Sequence, residues 1–496
     1  MHEHDPADGN GCGCDRRDFL SAMGTALGGL ALTSVSADGA EGPTATSVKK
    51  EDATVRVVFI YPSSKTLADN PNAWWSWPGN DFDAEGRQKQ YLTALGEMQK
   101  KLGVKVAAEE TSIATAADAE RLAKEIEAKP PDGLLLILFH GPSRPLADRL
   151  LETAEKLTIP AVFFIGLGVV HGPVKHYRRA GLYFIQSLDN LDAIEYGLRM
   201  IQAKKLMSQS RILSITEAPR PSDKVEPFFG LTVRTVPFAR YAEEFQNVVF
   251  GDEARSWIAG VTGGAKEIRG VSQEALDNAA RAHFALKKLL ADESGDAVAM
   301  HCLRRGMLKP CVSFSSLNGE LTPAACQKDL QSVCTQLLGK LLVGRPGFIH
   351  NICYETEGNR FYASHCTCAT KLHGPDGPES PYLLRRFAHS NEGSCAIQVF
   401  WKEGDPVTMA QYYPGAPAAL DVYAGKVFKS HDNPPATGCT TNVDVEIIDR
   451  ADACSVGGDD WHNVLFCGDF ARKFRLFAQL FKMNLADTGL EEPWPI

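Results

Sequence analysis

Gly133-Leu-Leu-Leu-Ile-Leu-Phe139 is an unbroken apolar run, set between Pro131-Asp132 and His140-Gly-Pro142. A run this short, bounded by turn residues on both sides, reads as a strand buried on both faces. Val55-Arg-Val-Val-Phe-Ile-Tyr61 lies upstream of it, the shorter Val104-Lys-Val-Ala-Ala108 between, and Ala161-Val-Phe-Phe-Ile165 downstream. The intervening segments carry apolar residues at helical spacing: 86–102 through Tyr91, Leu92, Leu95, Met98 and Leu102, then 116–127 and 145–157. Continuous apolar strands alternating with helices of this length make a parallel sheet covered on both faces.

Outward from this core, a helix at 189–205 closes a first α/β domain expected over 54–205. Arg211-Ile-Leu-Ser-Ile215 and Leu231-Thr-Val-Arg-Thr-Val236 open a second over 206–295, with helices around 238–247 and 273–292. From 296 to 496 the texture changes. A strand at Ala297-Val-Ala-Met-His301 and a helix at 323–342 lead into Cys-, Gly- and Pro-rich sequence. Short strand-like pieces follow at 360–364, 395–401, 407–409 and 442–448, and a helix at 469–482 closes the chain. The expected fold class is α/β: two doubly wound parallel-sheet domains followed by a β-rich C-terminal domain.

The first residues carry a different message. Arg16-Arg17 precedes a mildly apolar run, Leu20 to Leu32, and Val35-Ser36-Ala37 offers a small-residue cleavage site. This order is that of a twin-arginine export signal over 1–37, with a polar, flexible leader over 38–53. The apolar stretch falls well short of the roughly 20 residues that span a bilayer. The expectation is a protein exported already folded, periplasmic in a bacterium with two membranes, with the twin-arginine machinery as its transport partner. No later segment stays apolar and uncharged for long enough to span a membrane, so the mature chain is expected to be soluble.

A formal net charge of −9 and a pI near 5.9 argue against non-specific nucleic-acid binding. The thirteen cysteines are unevenly spread: Cys12 and Cys14 lie within the signal, and the other eleven fall between Cys302 and Cys467. No CxxC pair faces another, so structural zinc has little support, no disulfide can be assigned, and several thiols read as small core residues.

Between about 295 and 470 a series of short motifs carries a resemblance. Asp296-Ala-Val-Ala-Met-His-Cys302 leads to Pro310-Cys-Val-Ser-Phe-Ser-Ser-Leu-Asn-Gly-Glu-Leu-Thr-Pro323, then to Ala325-Cys-Gln-Lys-Asp-Leu330. Leu338-Gly-Lys-Leu-Leu-Val-Gly-Arg-Pro-Gly-Phe-Ile-His-Asn351, His365-Cys366 and Trp461-His-Asn-Val-Leu-Phe-Cys-Gly-Asp469 complete it. This order resembles the L-fucose and L-arabinose isomerase family; over 54–295 the likeness is one of architecture. The resemblance implies an L-fucose isomerase-like fold, a homo-oligomer, a small-molecule sugar as ligand, and a divalent metal such as manganese. In such isomerases the metal holds two adjacent sugar oxygens while carboxylates move a proton between C1 and C2.

This chain departs from that pattern. Where the family reads Cys-Glu before a helix, it has Cys326-Gln327; where the second carboxylate would follow, it has His350 and Asn351. An amide is neutral and is no base near neutral pH. A slipped register would instead offer Glu355 or Glu357. Gln327, Asn351, His462 and Glu355 are thus the candidate catalytic positions, and His365 and His462 the candidate metal ligands. The alternative is a site that holds no metal.

Other constellations stand beside these. His365-Cys-Thr-Cys368 with His373 has the donors of a soft-metal loop. Trp74, Trp75 and Trp77, with Asn80, Asp81 and Asp83, sit in the loop after the first strand, where flat rings would stack on a sugar face. His140-Gly-Pro142 and His171-Gly-Pro173 read as strand-end loops. No Walker loop, GxSxG elbow or HExxH helix occurs. Two functional readings remain open: a divergent sugar isomerase with altered or lost chemistry, and an exported sugar-binding protein without catalysis.

Overall fold

The computed structural model describes residues 50–70, 73, 78–303, 308–387, 393–434, 437–450, 452–456 and 461–485. The signal expected over 1–37, the leader as far as residue 49, and Trp74, Trp75 and Trp77 lie outside the described residues. The first sheet is wholly parallel, in the order β2-β1-β3-β4-β5. Its strands are β1 (Thr54–Ile60), β2 (Lys105–Ala108), β3 (Gly133–Leu138), β4 (Ala161–Gly166) and β5 (Leu182–Ser187). All of β3 is buried, as its uninterrupted apolar run requires.

Helices cover both faces of this sheet. Val55, Val57 and Phe59 of β1 pack against α1 (Ala84–Leu102) and α4 (Leu191–Ser208), while Val58 and Ile60 face α2 (Ala116–Ala128) and α3 (Arg144–Lys156). The helix ends are chemically marked. Thr115 and Asp118 form a capping box on α2, and Gly103 ends α1 with φ 72°.

The second sheet runs β11-β10-β6-β8-β7. Its members are β6 (Arg211–Thr216), β7 (Ser222–Val225), β8 (Thr232–Pro237), β10 (Ala297–Met300) and β11 (Ala324–Ala325). All pairs are parallel except the exposed edge strand β7, which turns back on β8. Two of its strands therefore come from beyond residue 295. The intervening β9 (Glu267–Arg269) belongs elsewhere, with the C-terminal strands. Helices α5 (Phe238–Asn247), α6 (Asp252–Gly263), α7 (Gln273–Asp292) and α8 (Cys311–Gly319) accompany this sheet.

The helix expected at 323–342 starts only at Leu330, as α9 (Leu330–Val343), because Gln327 and Lys328 are both left-handed, with φ 56° and 63°. Beyond it the chain is almost all β: β12 (Phe348–Glu355), β13 (Arg360–His365), β14 (Tyr382–Arg386), β15 (Cys395–Val399), β16 (Pro406–Tyr413), β17 (Ala419–Ser430), β18 (Thr441–Ile447) and β19 (His462–Cys467). Six of these close an antiparallel barrel in the order β16-β19-β12-β13-β18-β17 and back to β16. Strands β14 and β15 form a small separate sheet with β9, and α10 (Ala471–Leu480) leads to a short β20 (Asn484–Leu485) beside β17.

Alternation assigns the barrel's side chains. Val464 and Phe466 of β19 join the apolar cluster of α9 and α10, while Leu465 and Cys467 join the one containing Phe348, Phe361 and Met409. The molecule is thus mixed α/β with a parallel sheet and a β-rich C-terminal region that closes into a barrel. Among the described residues no helix is long and apolar enough to cross a membrane.

Candidate functional site

Strands β10 and β11 end side by side, and the chain leaving them supplies Cys302 and Cys326-Gln327. The carboxyl ends of parallel strands are where α/β sheets bind ligands. Here the barrel faces them: β12 contributes Asn351 and Cys353, and β13 contributes Tyr362, Ser364 and His365. These residues line a cavity of about 320 Å³, with Lys309, Cys311, Cys366 and Cys439 among its other walls. A second hollow, lined by Leu303, Gln327, Asp329, Gln331, Trp461 and His462, shares Leu303 and Gln327 with the first. Together they form one cleft.

Four positions singled out in the sequence meet there. Gln327 borders both hollows, Asn351 and His365 line the first, and His462 lines the second. Asn351 lies directly across from His462 and from Ser364 in the barrel register, and the His365 and His462 rings cross edge to face at 5.2 Å. Gln327 is held by a backbone that non-glycine residues avoid, a strain of about 1–3 kcal/mol that commonly marks functional loops.

The other candidates lie elsewhere. Glu355 accepts hydrogen bonds from the Arg360 guanidinium at 2.8 Å and from the Gly358 amide at 2.9 Å. Arg360 holds its carboxyl below the ordinary value, and it is absent from the cleft walls. Asp81 is exposed in a short turn, Asp83 caps α1 through the Gly86 amide, and the Asn80 amide donates to the Leu67 and Asn70 carbonyls. His140 is buried between Ser143 and the Ala73 carbonyl, at 2.8 and 3.1 Å, and so secures its own loop. His171 is exposed.

The loop His365-Cys-Thr-Cys368 does not close on His373. Cys368 turns into the core beside the Ala369 carbonyl, and His373 lies about 4 Å from Cys467, near Asp405. A tight loop of four donors is thus replaced by two separate groupings.

Sequence reasoning missed Asp329. The His462 Nδ1 and the Asp329 carboxylate are 2.9 Å apart, and the Ser332 hydroxyl and amide donate to the same carboxyl at 2.5 and 2.9 Å. Burial alone would raise Asp329; the hydrogen bonds from His462 and Ser332 outweigh it and leave the carboxyl below its ordinary value. An ionised Asp329 fixes the proton on Nδ1 of His462. That leaves Nε2, buried and without a hydrogen-bond partner, as an acceptor at the cleft. The signal was present in Ala325-Cys-Gln-Lys-Asp-Leu330, where Asp329 also caps α9.

The thiols were missed as a group. Cys366 lies 3.3 Å from Cys311 and 3.7 Å from His365 Nδ1, and it also faces Cys326 and Cys439. Hydrogen bonds from Cys311, Cys326 and Cys439 push the Cys366 thiol well below its ordinary range. Cys326 has one proton and faces both Cys302 and Cys366, so it donates to one of them at a time. Burial would lower His365, yet the adjacent Cys366 charge and hydrogen bond raise it. All eleven described cysteines are free thiols.

A manganese ion fits this cleft poorly. A hard divalent cation gathers oxygen ligands, carboxylates above all. Among the described residues lining the cleft Asp329 is the one carboxylate, and His462 and Ser332 already engage it. The sequence matches no protein-family model, and a search of curated proteins finds no match.

Proposed function

We propose that the protein is an exported, sugar-isomerase-like protein whose cleft between the second sheet and the barrel binds an open-chain sugar or related polyol. The observation that carries this reading is the meeting of Gln327, Asn351, His365 and His462 around one cleft. Amide, hydroxyl and imidazole groups suit sugar hydroxyls, since each can donate or accept. Lys309, Tyr362 and Ser364 extend that polar wall.

The proposal departs from ordinary aldose–ketose isomerisation. Two carboxylates would be needed to hold a hard cation and accept the C2 proton, and amides stand in both places. An acid–base group at the cleft is His462, oriented by Asp329. An imidazole so held can take a proton at Nε2 without a metal. Export by the twin-arginine route suits a chain that must fold, with its thiols reduced, before it crosses the membrane.

Thermal shift of the full chain across aldoses, ketoses and polyols tests the reading. A ligand at about 100 times its Kd adds about 2.7 kcal/mol, a rise of a few degrees. That rise is expected to vanish in Gln327→Ala and Asn351→Ala. The same samples with manganese should show no solvent-deuterium exchange at C2. No stabilisation by any sugar, or manganese-dependent turnover of an aldose, would overturn the proposal. His462→Gln separates the two forms of it: a pure binder keeps its sugar affinity and has no turnover to lose.

A further inference from the structure

We propose that Cys326, His365 and Cys366 bind one thiophilic metal ion, Zn²⁺ or Cu⁺, with its open coordination position facing the cleft. This site lies in the same cleft as the sugar reading but does not rest on it. One donor atom from each of the three residues lies within 4.8 Å of the other two, and all three residues are buried. Donors on a tetrahedral zinc ion about 2.3 Å from the metal stand about 3.8 Å from one another. The Cys366 sulfur and His365 Nδ1 are 3.7 Å apart.

Three features separate this cluster from ordinary buried thiols. A cysteine that only fills space is surrounded by apolar groups, as Cys395 is, beside the Ala275 carbonyl. Cys366 instead meets three thiols and an imidazole, a concentration of soft donors that packing does not require. The Cys311 sulfur is 3.3 Å from that of Cys366, beyond the roughly 2.05 Å of a disulfide bond.

Secondly, the elements that carry the donors are constrained. Cys326 leaves β11 into the left-handed pair Gln327-Lys328, and His365 is the last residue of β13. Cys326 there faces Cys366, the residue that follows His365 at the end of β13.

Thirdly, the trio borders the 320 Å³ cavity, and His462 presents a buried, partnerless Nε2 from a ring 5.2 Å from that of His365. Three protein ligands with an open fourth position is the arrangement of catalytic rather than structural zinc. Two thiolates and a neutral imidazole would balance a divalent ion. The donor set is soft, so the same cleft that fits manganese poorly selects zinc or copper(I).

The test uses the full chain, purified anaerobically under reducing conditions, with metal content measured by mass spectrometry. The apoprotein is then titrated separately with Zn²⁺, Cu⁺ and Mn²⁺, and with Co²⁺ as an optical reporter. The expected result is one equivalent of zinc or copper, thiolate-to-cobalt charge-transfer absorption, and no competition from manganese. Cys326→Ser and Cys366→Ser should each weaken binding about 100-fold, whereas the exposed Cys454→Ser should not. X-ray absorption of the wild-type complex, which needs no variant to fold, should show two sulfur neighbours and at least one nitrogen. Absence of stoichiometric binding, unchanged affinity in both serine variants, a metal shell of oxygen alone, or a Cys311–Cys366 disulfide in the native protein overturns the site. Metal without sugar stabilisation leaves this site standing and removes the sugar reading; sugar stabilisation without metal does the reverse.

Discussion

His283 and His350 are held neutral by burial, their imidazoles pulled down to about 3. His283 stacks on Trp257 at 4.6 Å, and His350 stacks on Phe361 at 5.4 Å. The sign of the effect follows from linkage. Between about pH 3 and 6.5 the unfolded chain protonates both rings and the native chain does not, so stability falls as pH drops through that window. At pH 5 each ring costs about 2 kcal/mol relative to pH 7. Urea unfolding at pH 7 and pH 5 should show that loss, and His283→Gln should remove its share. A variant as acid-sensitive as the parent would show that His283 is not the group responsible. The same scale holds the chemistry of the cleft: Asp329 was within a quoted motif, but only its 2.9 Å approach to His462 gives it a role.

Helix α9 illustrates how an element is fixed by what it touches. It lies against β19, and Gly339 faces the Phe466 ring of that strand. A methyl group there would fall 2.1 Å from the Phe466 ring. Alanine is the better helix former by about 1 kcal/mol, yet overpacking costs about 1–3 kcal/mol and an aromatic ring has little room to yield. Gly339→Ala should therefore lower stability in urea by about 1–2 kcal/mol without changing the denaturant slope. A stabilised variant would mean that α9 can lift from the barrel freely. The turn before α9 makes a related point. Cys326-Gln-Lys-Asp reads as the start of a helix, and the left-handed Gln327-Lys328 pair instead delays the helix to Leu330 and leaves Gln327 in the cleft.

One apolar core joins all the major layers of the molecule. It contains Val57 and Phe59 of the first sheet, Ile212 and Ala299 of the second, Leu337 of α9, Ile349 and Phe466 of the barrel, and Phe474 of α10. Polar ties run the same way: the Tyr196 hydroxyl donates to the Lys473 carbonyl at 2.6 Å, and the Gln479 amide to that of Leu182 at 2.9 Å. Unfolding the first sheet would expose the barrel's outer face, so the two should melt together. Calorimetry, far-ultraviolet and near-ultraviolet signals of the full chain should report one coincident transition. Two resolved steps would show the layers to be independent.

Local periodicity alone settled the first sheet, because strands such as Gly133–Leu138 are apolar throughout and the helices between them repeat at a helical interval. It also placed α5 and α7, and the resemblance named Gln327, Asn351, His365 and His462. Barrel closure was not legible: β12 and β19 bury His350 and Asn463 among apolar neighbours, which blurs the alternation a strand normally shows. Nor was the thiol cluster. Cys302, Cys311, Cys326, Cys366 and Cys439 are separated by loops, helices and strands, and no spacing rule relates them. Residue pattern records which side chains seek burial; which of them meet is decided by how β10, β11 and the barrel dock, a long-range packing that no local stretch encodes.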